Sequence, residues 1–164
     1  ALDGLRRAWK NIETAFHEPS DIEARTNMMS ASLQGALAFQ KGLGCVHSLS
    51  HSLGGIDPRL HHGTLNAVLL PAVVRFNRAA ETVVRDEKID RLAQAMGLPA
   101  HVSVEDAIQD MSRRLRLPAG LGAMGVTADL TPRIVTGALA DHSHKTNPRE
   151  ASADDYARLI EAAM

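Results

Sequence analysis

Gly44-Cys45-Val46-His47-Ser48-Leu49-Ser50-His51-Ser52-Leu53-Gly54-Gly55, followed by His61-His62-Gly63, is the stretch on which the reading of this chain turns. His47 and His51 are four residues apart, and on a helix that spacing puts both imidazoles on one face, one turn apart. Asp57-Pro58 marks a turn, and His61-His62 stands where the next helix begins. Helix, tight turn, helix can carry the second cluster back against the first. Imidazoles so placed suit Zn, Fe, Ni or Cu, because a borderline nitrogen ligand matches those ions and not Mg or Ca. On spacing alone two readings stay open: a metal site, or partly buried histidines each bonded to a backbone carbonyl. Ser48, Ser50 and Ser52 lean toward the first, since a purely structural helix face is usually more apolar.

Outward from this stretch, the pattern is helical throughout. Val46 to Leu53 reads as a helix closed by Gly54-Gly55, and Gly63 onward as another through Leu65, Val68, Leu69, Val73, Val74 and Phe76, kinked or cut by Pro71. Upstream, Leu2, Leu5, Trp9 and Ile12 recur at helical spacing up to about His17 and Pro19. Ser20-Asp21-Ile22-Glu23 has the form of a capping box that opens a long helix through Met28, Met29, Leu33, Leu37 and Phe39, ended by Gly42 and Gly44. Downstream, Ile89 to Met96 stops at Gly97 and Pro99, Ser103 starts a helix to about Leu115, and Leu117 to Gly125 is a Gly-rich connector. Thr131-Pro132 starts a helix to about Ala140, and Ser152 a last one to Met164. No stretch alternates as a strand would. The expected fold is all-α: one bundle-like domain over residues 1–164, with seven or eight helices.

Composition agrees. The 164 residues are 45% hydrophobic but only 3% aromatic, so the core is built from Ala, Leu, Val, Ile and Met, a mixture that favours helix. The methionines Met28, Met29, Met96, Met111 and Met124 read as core filling. Net charge is -1, from 18 basic and 19 acidic residues; with no basic excess and no aromatics among the basic residues, nucleic acid is excluded as a partner. No apolar run is long enough to span a membrane. A single cysteine, Cys45, makes no internal disulfide, which fits a reducing, cytoplasmic compartment; beside His47 but on a different helical direction, it reads as a small buried residue. Ala1 to Arg7 reads as mid-helix, as though the chain began inside a larger protein. Of eight histidines, six fall in two clusters: His47, His51, His61 and His62, then His142 and His144 beside Asp141.

The run Gln40 to Gly55, then His62-Gly63-Thr64-Leu65-Asn66-Ala67-Val68-Leu69-Leu70-Pro71, resembles the signature of the iron-containing (group III) alcohol dehydrogenases. Leu117-Pro118, Gly120-Leu121, Gly125-Val126 and Ala140-Asp141-His142-Ser143-His144-Lys145-Thr146-Asn147-Pro148-Arg149 resemble that family's later segments, in the right order. The resemblance implies the C-terminal helical half of a dehydroquinate-synthase-like architecture, with the N-terminal nucleotide-binding domain outside this chain. It implies His47 and His62 as metal ligands and His51 on the proton path. One residue more than the family pattern separates Leu53-Gly54 from the His-Gly pair, so His61 competes with His62; the following Gly63 favours His62.

The family's remaining ligands, an aspartate and a histidine four residues on, have no counterpart before His47. Glu13 and His17 share the spacing but read as a solvated helix end. Gly120, Gly122 and Gly125 follow no strand and do not supply a dinucleotide-binding turn. The cofactors implied are Fe2+, with Zn2+ as the alternative, and NAD or NADP bound by the missing domain. The partner implied is a small alcohol, aldehyde or ketone, and the resemblance allows a homodimer of the intact enzyme. Asp141, His142 and His144 read either as cleft lining or as a solvated loop. Outside the dehydrogenase reading stand a self-contained helical binding module with structural histidines, and a helical metallohydrolase completed by Asp57 or Asp141; within it, maleylacetate reductases.

Overall fold

The computed structural model describes residues 1–164 and contains nine α-helices and no strand. They are α1 (Leu2–His17), α2 (Ile22–Ala38), α3 (Cys45–Ile56), α4 (His62–Asn77), α5 (Glu81–Arg85), α6 (Lys88–Met96), α7 (Val104–Arg114), α8 (Thr131–Ala140) and α9 (Ala153–Ala162). The helix beyond the expected eight is α5, whose five residues are too few for a period to show.

The helices start where side-chain acceptors stand. Ser103 accepts from the Asp106 amide, and Ser152 and Asp155 form a reciprocal box at α9, each meeting a backbone N–H that the first helical turn leaves free. At α2 the expected box is displaced by one residue: Asp21, not Ser20, caps the helix by accepting from the Ala24 amide at 2.8 Å. The expected stop at Gly54-Gly55 is absent, and of the two outcomes expected at Pro71, a kink or an end, the end is excluded. Helix α3 runs through Gly54 and Gly55 to Ile56, where the Asp57 N–H closes the ladder on Leu53. Helix α4 runs through Pro71 to Asn77. Pro71 removes one ladder bond, at a cost of about 3 kcal/mol or more in a free helix. Here Leu65 and Leu69 before it and Ala72 and Val73 after it are all buried in the core, and packing on both sides holds the helix continuous.

The main core gathers α3, α4, α8 and α9 around Leu49, Leu53, Leu65, Leu69, Ile134 and Tyr156. The connector 117–125 is pinned beneath it: the buried Leu121 donates its N–H to the Ala163 carbonyl at 2.7 Å. Helix α8 lies tight against α3 because residue 137 is glycine; a Cβ there would strike Ser52, whose hydroxyl donates to the Ile134 carbonyl at 2.9 Å. A smaller core joins Met96, Val104 and Ala107 to Leu5 and Trp9 of α1. Between α4 and α7, Arg78 grips the buried Glu105 with two bonds, at 3.0 and 2.7 Å.

Helices α1 and α2 pack together through small residues, Gly4, Ala24 and Ala31. The apolar face expected to bury α2 is instead open: Met29, Leu33 and Leu37 are 74%, 63% and 67% exposed, and Phe39 is exposed as well. Met29 therefore departs from the core-filling role expected of the methionines, whereas Met96 and Met111 keep it.

Candidate functional site

The site sits where the start of α4 returns to the middle of α3. The ring centroids of His47 and His62 are 5.3 Å apart, those of His47 and His51 5.6 Å, and those of His51 and His62 5.4 Å with nearly parallel planes. His47 and His51 are half-buried and His62 is exposed, so the cluster lies at the open edge of the domain. The structure brings together three of the four histidines of the first cluster. His61 goes elsewhere: its Nδ1 accepts the Thr64 N–H at 3.3 Å and caps α4.

Asn66, one turn into α4, donates its Nδ2 amide to His62 Nε2 at 3.1 Å and to His47 Nε2 at 3.3 Å. Both Nε2 lone pairs are therefore aimed at one small region of space. The Asn66 Oδ1 is buried without a partner. The second contact of His62, between its Nδ1 and the Ser50 hydroxyl, is long at 3.5 Å; with Nε2 accepting, Nδ1 carries the ring proton and Ser50 Oγ accepts it, while the Ser50 hydroxyl hydrogen goes to the His47 carbonyl. Burial first, and then the nearby His62 and His51, hold His47 below the ordinary imidazole range. That favours the neutral form, the form a metal ligand needs.

His51 is held from the opposite side. Its Nδ1 lies 2.9 Å from Oδ2 of Asp141, at the C-terminal end of α8. Burial would raise the Asp141 carboxyl, but hydrogen bonds from Ser143 and His51 outweigh it and keep the group below the usual carboxylate range. His142 stacks on the outside of His51 at 6.1 Å. His144 turns away from the cluster to Tyr156, with Nδ1 3.0 Å from its hydroxyl. Asp141 and His142 thus belong to the site, and His144 to the core. Cys45 is fully buried.

An open cleft of about 590 Å3 runs beside His51, with Ser52, Arg133 and Thr136 on its walls. Another concavity, of about 400 Å3, lies between α4, α7 and the end of α9, lined by Arg75, Asp106 and Arg113 among others. It is the smaller of the two and holds no histidine, so it is not part of the site.

Sequence reading left Asn147 without a role. Its Oδ1 accepts the Cys45 N–H at 3.1 Å and the Asn77 side-chain amide at 3.1 Å, while its Nδ2 donates to Asn77 Oδ1 at 2.7 Å and to the Arg149 carbonyl at 2.6 Å. One side chain thereby caps α3, the helix of His47 and His51, and ties it to the end of α4. Gly44 permits the approach: its φ is +73°, and a Cβ there would come within 2.7 Å of Asn147 Oδ1. The signal available was the Asn147-Pro148-Arg149 run itself, with no hint of its partner 102 residues away.

Two imidazole nitrogens fit two positions of a metal's ligand shell, and the chain arranges no group of three or more His, Cys, Asp or Glu side chains to hold an ion. No helix is long and apolar enough to cross a membrane.

Comparison with known proteins gives a consistent picture. A family model described as "Fe-containing alcohol dehydrogenase family, C-terminal" matches residues 1–164. A 4-hydroxybutyrate dehydrogenase of Cupriavidus necator is 61% identical over 168 residues, covering 100% of this chain and 44% of that protein. A maleylacetate reductase of Cupriavidus pinatubonensis is 34% identical, again over 100% of this chain and 44% of that protein. The crystal structure of a 1,3-propanediol oxidoreductase superposes with a TM-score of 0.90 at 32% identity, covering 99% of this chain and 44% of that one. The chain thus spans less than half the length of the relatives it matches.

Proposed function

Since the chain belongs to the Fe-containing alcohol dehydrogenase family, as its C-terminal domain, we propose that it supplies the metal-binding half of an NAD(P)-linked dehydrogenase interconverting a small alcohol and an aldehyde or ketone. The nucleotide is bound by an N-terminal domain of the parent protein. His47 and His62 are two of the metal ligands, and His51 moves the proton. The observation that carries this is the convergence of His47 Nε2 and His62 Nε2 on one donor, Asn66: the same lone pairs are available to a cation.

A divalent metal, iron by family or zinc, would be held in part by His47 and His62, and when bound would supply Lewis-acid polarisation of the substrate oxygen. Hydride transfer is the chemistry of the nicotinamide. What this chain's residues do follows from their places. His47 and His62 present ring nitrogens from two helices locked together by the Asn147 clip. His51 lines the open cleft and takes a proton from the substrate hydroxyl, or returns it in the reductive direction. The 61% identity to a 4-hydroxybutyrate dehydrogenase makes a short hydroxy-carboxylate the first substrate to try. The similarity to a maleylacetate reductase keeps reduction of a keto-acid as the second.

The test is turnover by the full-length parent protein loaded with Fe(II) or Zn(II), followed as NAD(P)H absorbance with 4-hydroxybutyrate. Expected is activity that His47→Ala and His62→Ala each abolish and His61→Ala leaves largely intact. Wild-type activity in His62→Ala, or its loss in His61→Ala without unfolding, overturns the ligand assignment.

A further inference from the structure

We propose that Asp141 is the positioning residue for His51, holding the ring as the Nδ1–H tautomer so that Nε2 is left bare as the proton acceptor. This rests on the dehydrogenase reading above for its use in catalysis, but its structural content is independent of it.

The two oxygens of Asp141 have separate tasks. Oδ1 accepts the Ser143 N–H at 2.8 Å and shapes the turn after α8; Oδ2 faces His51 Nδ1 at 2.9 Å. The carboxylate is 14% exposed and held in its ionised form by those contacts. An ionised carboxylate only accepts hydrogen bonds, so the ring nitrogen opposite must carry the proton. A neutral imidazole has one N–H, and placing it on Nδ1 leaves the lone pair on Nε2.

The pairing is built across the fold rather than along a helix, since 90 residues separate the partners. Its geometry is kept by the close seating of α8 on α3, where Gly137 admits Ser52 and the Ser52 hydroxyl holds the Ile134 carbonyl. The ring is walled by His47, His62 and His142 at 5.6, 5.4 and 6.1 Å, and Asp141 is the carboxylate that meets it. When Nε2 takes the proton from the substrate hydroxyl, the ring becomes an imidazolium beside that carboxylate. On the return step the same proton leaves Nε2. Asp141 keeps its ionised form throughout and exchanges no proton.

The tautomer is read directly from long-range proton–nitrogen correlations of the histidine-labelled chain, at a pH well above the histidine range. Expected for His51 is a protonated Nδ1 and a bare Nε2. In Asp141→Asn the amide oxygen still serves the Ser143 N–H, while its NH2 faces the ring and donates, so His51 flips to Nε2–H with the Ser143 amide shift kept. A His51 already Nε2–H in the wild type, or unmoved by Asp141→Asn, overturns the proposal. In the parent enzyme the same variant should lower kcat roughly 10²–10⁴-fold, the usual worth of a placed acid–base group, with KM little changed and partial recovery in Asp141→Glu. A flipped ring with wild-type kcat overturns the positioning role. A wild-type parent that turns over no alcohol sinks the dehydrogenase reading instead, and leaves the tautomer result to stand or fall on the spectra.

Discussion

Replacing Asn147 with Ala tests how the site is held. In the structure this side chain makes four hydrogen bonds: the Cys45 N–H and the Asn77 amide to its oxygen, and Asn77 Oδ1 and the Arg149 carbonyl to its nitrogen. Losing an N-cap acceptor costs about 1 kcal/mol. Leaving the Asn77 amide without its reciprocal partner adds about 1–3 kcal/mol if fully buried. Both residues are half-buried, so water recovers part of that, and the lower half applies: about 2–3 kcal/mol in all. For a domain of this size, that is a fall in Tm of roughly 4–12 °C. Urea unfolding followed by far-ultraviolet circular dichroism measures it, with midpoint and slope fitted separately. Asn147→Asp should fall between the two, because its carboxylate still caps Cys45 but no longer donates to Asn77. Amide exchange at Cys45 should quicken in the Ala variant. A loss below about 0.5 kcal/mol, the range of an ordinary surface change, would refute the claim that Asn147 organises the α3 N-terminus.

Other outcomes follow from the same geometry. Gly137→Ala should cost about 1–3 kcal/mol as an overpacked contact against Ser52, with Ser52→Gly in the same chain restoring most of it; thermal unfolding decides. His47 is held below the ordinary imidazole value of 6.5, so the unfolded chain binds the proton more readily, and stability should fall as pH drops below about 6.5. His47→Leu should flatten that limb in urea midpoints taken across pH. Asp155 is lowered from 3.8 to about 2 by the Ser152 N–H and by Arg158, so its contribution is complete above 3.8 and is lost as pH falls toward about 2. Two imidazoles do not complete a four-coordinate shell, so calorimetry of this chain with Fe(II) or Zn(II) should find no submicromolar site; finding one means that a further ligand in the chain has been overlooked.

Much of the molecule is legible in the sequence because helices announce themselves locally. Period, caps and stops lie within a few residues of one another, and Ser103, Ser152, Gly97 and Thr131-Pro132 all act where they stand. The His47/His51 pair is local in the same way, and its return to His62 needs only a turn. What escaped reading is non-local or depends on packing. Asp141 and Asn147 meet α3 from about 90 and 100 residues away, and nothing in either segment names the partner. Pro71 and Gly54-Gly55 break helices in isolation, yet helix α4 is carried through Pro71 by burial on both sides. Apolar period located α2 but not what covers it: Met29, Leu33 and Leu37 keep the pattern of a buried stripe and stand in solvent.

The central claim is that His47 Nε2 and His62 Nε2 converge on one cation. Anomalous difference maps from crystals of the metal-loaded parent protein test it most directly. The account requires one strong peak about 2.0–2.2 Å from both nitrogens, with Asn66 moved aside and His61 still capping α4. A peak ligated by His61, or a loaded active enzyme whose metal lies beyond reach of His47, contradicts it.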